Sequence, residues 1–152
     1  MRLSFVFFIV FCLISDTLAQ QSVTQAVDSL ELALTKLTKQ DTVRAEKMIA
    51  LGDLLQRTDA VRAMKVTNQA NTLCEKLQWQ RGIFSCLRQK GTIYATLGEF
   101  DKAIEMHLQS INSLEKVDAP AQKKRAGLGT IYNNMAICYT RMRMFDKSIA
   151  AN

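Results

Sequence analysis

The chain reads as all-α, an α-solenoid built from antiparallel helix pairs, and three observations carry that reading. Apolar residues recur at helical spacing through most of the 152 residues, and no segment sustains the alternation of a strand. The composition holds six Gly and a single Pro, so helix breakers fall between long helical stretches. The chain also repeats itself. A shift of 45 lays Gly82 on Gly127, Tyr94 on Tyr139 and Phe100-Asp-Lys-Ala-Ile on Phe145-Asp-Lys-Ser-Ile. A shift of 40 lays Ala63 on Ala103 and Glu75-Lys76-Leu77 on Glu115-Lys116-Val117. Repetition of that length marks stacked helix pairs, each burying its apolar face against the next.

The N-terminus comes first. Met1 and Arg2 form a short cationic start, Leu3 to Ile14 is an apolar run broken only by Ser4, and Thr17-Leu18-Ala19 offers small residues at a cleavage site. Residues 1–19 therefore read as a secretory signal cut after Ala19. The run is shorter than the ~20 residues a membrane span needs, and Phe11 is too bulky for Cys12 to be a lipid-attachment site.

Residues 20–40 form an amphipathic N-terminal segment, with apolar residues at 23, 26, 27, 30, 33, 34 and 37 on one helical stripe. Thr38 to Gln40 break it, and Asp41 and Thr42 supply cap-type side chains for a helix from Val43 to Leu55. Thr58-Asp59 punctuates before a helix to about Leu77. Helices are then expected over about 83–96, 100–116 and 126–141, with a further start at Phe145. The expected connections are 39–41, 56–59, 78–82, 97–99, a Pro120-marked 117–125, and 142–144.

The segment Gly91 to Ile104 resembles the tetratricopeptide repeat, whose pattern sets Trp, Leu-Gly, Tyr, Ala and Phe at fixed offsets. The matching residues are Leu87, Lys90-Gly91, Tyr94, Ala103 and His107, with a turn glycine at Gly98 and an aromatic at Phe100. A third unit supplies Tyr132, Met135-Ala136, Tyr139, Ser148 and Asn152, with Phe145 matching Phe100. A degenerate first unit supplies Lys47, Ala50-Leu51, Leu54, Ala63 and Thr67. The resemblance covers 41–152, in units of about 41–82, 83–127 and a truncated 128–152; paired helices of HEAT type are the structural alternative. It implies a right-handed solenoid. On this reading Gly91 lets its helix lie close to the next at Ala103, Tyr94 and Phe100 fill the space around that contact, and Gly98 closes the turn in the left-handed conformation.

Catalysis and metal binding find little support. His107 is the single histidine and occupies a packing position of the repeat, and Cys74, Cys86 and Cys138 lack metal spacing. No glycine-rich phosphate loop is present. The chain is therefore expected to be neither an enzyme nor a holder of a metal or other cofactor. The three cysteines read as small buried hydrophobes. A Cys74–Cys86 bridge across two antiparallel helices is the alternative. The net charge of +6 is spread along the chain, with Lys123, Lys124 and Arg125 its densest cluster, so nucleic acid is not the expected partner.

A protein or peptide partner is what the resemblance implies, because the first helix of each pair lines the concave side in that family. With 87, 91 and 94 facing inward, the groove face carries Ser85, Arg88, Thr92 and Ala95, and its counterpart carries Thr130, Asn133, Ile137 and Thr140. A signal, a short helix and extended repeats resemble the exported sensor regions that precede histidine kinases or helix-turn-helix regulators. A free-standing exported scaffold is the alternative, and both place the chain in the periplasm or outside the cell.

Overall fold

In the computed structural model, residues 20–150 are described, with side chains described as far as residue 143. The expected signal at 1–19 and Asn152 lie outside the described residues, as do the side chains of Phe145 and Ser148. Six helices follow one another: α1 (20–36), α2 (Thr42–Leu55), α3 (Ala60–Lys76), α4 (Gln80–Thr96), α5 (Phe100–Glu115) and α6 (Ala121–Ala150). No strand occurs among the described residues, and no helix there is long and apolar enough to cross a membrane.

Local chemistry sets the boundaries. Asp41 and Asp59 cap α2 and α3, each carboxylate accepting from the amide three residues on, at 3.1 Å from Arg44 and 2.9 Å from Arg62. The α3–α4 and α4–α5 connections share one closure. Trp79 N–H bonds Cys74 O at 2.9 Å and Glu99 N–H bonds Tyr94 O at 2.9 Å, around a left-handed residue, Gln78 (φ 53°) or Gly98 (φ 79°). No atom lies within 4 Å of a Cβ built on Gly98, so the backbone conformation and not crowding calls for glycine there.

Consecutive helices pack on one another, and α2 also touches α4 as α4 touches α6. The buried stripes are 63, 67, 70, 74 on α3 and 103, 107, 110, 114 on α5, which correspond at a shift of 40. Gly82, Cys86, Gln89 and Ile93 form the stripe on α4. One core cluster joins Met48, Leu73, Cys74 and Cys86, and a second joins Leu51, Leu55, Ala63 and Ile93 to Val27 of α1. The Arg44 guanidinium donates to the carbonyls of Leu34, at 2.9 Å, and Leu37, satisfying the C-terminal end of α1.

Several expectations are corrected. No connection occurs at 142–144, and α6 runs unbroken through Phe145 to Ala150. The residue that corresponds to Gly98 at the shift of 45 is Arg143, and without glycine the left-handed closure costs about 1 kcal/mol or more while Arg and Met favour helix. The connections expected at 78–82 and 117–125 shorten, because α4 begins at Gln80 and α6 at Ala121, directly after Pro120. In the first unit the close contact belongs to Gly52 and not Leu51. The four-residue connection 56–59, against three residues at 97–99, moves the register by one.

The contact at Gly91 also differs from expectation. A Cβ there would lie 2.5 Å from His107 Cε1 and 2.6 Å from its Nδ1, so His107 and not Ala103 covers the glycine. Tyr94 and Phe100 are half-buried, with the Lys102 ammonium 5.6 Å from the Tyr94 ring centre, and the fully buried residue beside them is Ile93. Tyr139 is 50% exposed, because α6 buries Ile131, Met135 and Cys138, a face rotated by one residue from that expected. Cys74 and Cys86 are buried free thiols. Cys86 is pushed up by its hydrogen bond to Cys74 and by burial.

Candidate functional site

Two clefts open along the groove between α4 and α6. They follow one helical stripe on α4, 81, 85, 88, 92 and 95, and meet α6 at its first turn, Lys123 and Lys124, and again at Asn134, Ile137 and Arg141. The first cleft has a volume of about 340 Å³ and is floored by Phe84, Leu114 and Val117. Arg81 and Arg88 of α4 and Lys123 and Lys124 of α6 line its sides, with Asp118 its single acidic residue. Lys124 Nζ also donates to the carbonyl of Glu115 at 2.9 Å, which ties α6 to the end of α5.

The second cleft has a volume of about 560 Å³. Thr92, Ala95, Phe100 and Ile137 supply its walls, and Arg57 and Arg141 its charge, with no carboxylate in the lining. Ile137 is 50% exposed, an apolar surface turned to solvent beside two cations.

Of the eight groove residues expected from sequence, the structure brings Ser85 and Arg88 to the first cleft and Thr92, Ala95 and Ile137 to the second. Thr130, Asn133 and Thr140 are exposed and line neither cleft; the hydroxyls of Thr130 and Thr140 donate to Ala126 and Ala136 of their own helix. In their place Asn134 and Arg141 of α6 line the second cleft beside Ile137. Sequence reasoning also missed Arg81, Lys123 and Lys124, whose spacing across a connection hides their convergence.

Behind the groove lies a polar tie that the sequence reading passed over. Gln89 is fully buried, and its Oε1 accepts from the Thr67 hydroxyl at 2.7 Å. Its Nε2 donates to Ile49 O at 3.0 Å and to Asp53 Oδ1 at 2.8 Å, joining α2, α3 and α4. The signal was its phase, a glutamine on the stripe of Gly82, Cys86 and Ile93. One repeat on, His107 takes the place of Thr67, and neither ring nitrogen has a hydrogen-bond partner. Burial first and the Arg88 charge second lower its pKa to about 4, so the ring is neutral at pH 7.

Among the described residues no group of three or more His, Cys, Asp or Glu could hold a metal ion. The two clefts present a long surface of cations, hydroxyls and apolar atoms. Comparison with protein-family models, with curated proteins and with solved structures finds no match to this chain.

Proposed function

We propose that the chain is an exported, tetratricopeptide-like protein-binding module whose helix pairs stack as a right-handed solenoid, and that it takes an extended segment of a partner protein along the α4–α6 groove. The observation that carries this is the alignment of two clefts along one helical stripe of α4, mixing exposed apolar walls with polar ones. Such a surface suits an extended chain, whose side chains enter successive recesses while hydroxyls and amides hold its backbone. Close packing at Gly52, Gly82 and Gly91 joins α4 to α2, α3 and α5 behind the groove, so that wall of the surface is held by a tightly packed frame.

The reading extends to role: a non-enzymatic input region of a longer signalling protein, with a free-standing exported scaffold as the other arrangement compatible with a binding groove. A peptide library selected on the protein tests the groove itself. Selected peptides are expected to lose binding at least tenfold on Thr92→Arg or Ile137→Arg and to keep it on Val61→Arg, which alters an exposed α3 position outside both clefts. Peptides insensitive to both groove variants, or a library that selects nothing, would refute it.

A further inference from the structure

The geometry points to an acidic peptide segment as the occupant of the α4–α6 groove, its carboxylates interspersed with apolar side chains; this rests on the groove reading above. The charge census is one-sided. Arg81, Arg88, Lys123 and Lys124 converge on the first cleft against Asp118 alone, and Arg57 and Arg141 on the second with no acid. Among the described residues none of these six cations makes an ion pair, although Lys39, Arg62 and Lys102 elsewhere each find a carboxylate. Cations left unpaired beside one another repel, and a ligand of opposite sign relieves that repulsion.

Length selects a peptide over a small anion. The clefts are lined by α4 from Arg81 to Thr96, a rise of about 22 Å at about 1.5 Å per residue. An extended chain spans that distance with about seven residues at about 3.3 Å each. A phosphate or a single carboxylate reaches one end only. Along the groove the apolar residues alternate with the polar ones: Phe84 and Leu114 stand beside Arg81, Ser85 and Arg88 in the first cleft, and Ala95, Phe100 and Ile137 beside Thr92 and Arg141 in the second. The complementary ligand therefore carries acidic residues along its length with leucine-like or alanine-like residues among them.

The test uses a fluorescein-labelled Glu-Ala-Leu-Glu-Ala-Glu-Leu-Ala-Glu peptide, its counterpart with Lys for Glu, and a single-stranded oligothymidylate. By anisotropy at low salt the acidic peptide is expected to bind at least tenfold tighter than the basic one, and to weaken steeply as salt rises. Arg81→Glu with Lys123→Glu changes two exposed side chains, so the fold should persist by circular dichroism while acidic-peptide affinity falls at least tenfold. Arg141→Glu alone should weaken the acidic peptide about threefold, reporting the far end. Equal binding of the two peptides, or an unchanged affinity in the folded double variant, overturns the inference. So does oligothymidylate binding tighter than the acidic peptide and lost in the same variant. If library-selected neutral peptides still depend on Thr92 and Ile137 while acid gives no advantage, the groove reading stands and this inference alone falls.

Discussion

The close helix contact at Gly52 and the one at Gly91 share a geometry and differ in what covers the glycine. A Cβ on Gly52 would lie 2.7 Å from Thr67 Oγ1 and 2.8 Å from Gln89 Oε1, and one on Gly91 would lie 2.5 Å from the His107 ring. At the first contact every side-chain polar atom is engaged, since Thr67 donates to Gln89 and Gln89 donates to α2. At the second the imidazole has no partner. The residue corresponding to Gln89 at the shift of 45 is Asn134, one methylene shorter and without a bond to His107. The position of Asp53 falls to Thr92, whose hydroxyl turns back to Arg88 O at 3.3 Å. Close packing between helices is thus kept from one unit to the next while its polar satisfaction is not.

The strongest way to break this comparison is to fill a glycine. Gly91→Leu should cost at least about 3 kcal/mol in urea unfolding, because the branched side chain must displace a ring already in contact. Gln109→Leu, at an exposed α5 position, should stay within about 0.5 kcal/mol. Similar values for the two would show that residue 91 is not at a close contact.

Proton linkage separates the two units next. His107 titrates near 4 when folded, against its ordinary 6.5. Below 6.5 the unfolded chain binds a proton that the folded chain refuses, so stability falls as pH drops from 6.5 towards 4 and is flat in this component above 6.5. The component is on the order of 3 kcal/mol across that window. It should vanish in His107→Leu, measured as the difference between the two proteins, and persist in Thr67→Val.

Gln89→Leu should cost about 2 kcal/mol, since it strands the fully buried Thr67 hydroxyl. Combined with Thr67→Val the loss should be smaller than the sum, and strict additivity in the cycle would deny the tie. The smallest effect sharpens the comparison from the other side. Asn134→Gln supplies the amide length that Gln89 has at the corresponding position, and should add up to about 1 kcal/mol at pH 7 where the longer amide reaches the imidazole, with the gain absent when His107 is already Leu.

How far these features can be read from the chain follows from the kind of signal each leaves. The helices are legible because their stripes are long, and the turn at Gly98 because one residue type suits its backbone. The end of α6 is not, since Phe145-Asp-Lys-Ser-Ile copies a helix start whose preceding glycine is missing, and the copy outweighs the absence by eye. Gly52 hides behind a one-residue difference in connection length. Gln89 hides because glutamine is common on solvated faces, and only its phase with Cys86 and Ile93 betrays burial. The cationic lining of the first cleft comes from two helices separated by α5, so no local window contains it. Five of the eight groove residues reach the clefts, and the three that do not all lie on α6, where neighbouring positions point about 100° apart and Asn134 and Arg141 line the cleft while Asn133 and Thr140 do not.

The span of the Gln89 bonds has a kinetic consequence. Most packing in this chain joins helices adjacent in sequence, whereas Gln89 reaches back 36 residues to Asp53 and 40 to Ile49. Contacts of short sequence separation form early and fast, and those that close longer loops follow. Helix pairs such as α2–α3 and α4–α5 are therefore expected to assemble first, and the amide of Gln89 to lock them afterwards, so that its loss speeds unfolding and leaves the folding rate nearly unchanged. The glutamine then acts as a latch on the lifetime of the assembled helices, setting how long the packed core persists once it has formed.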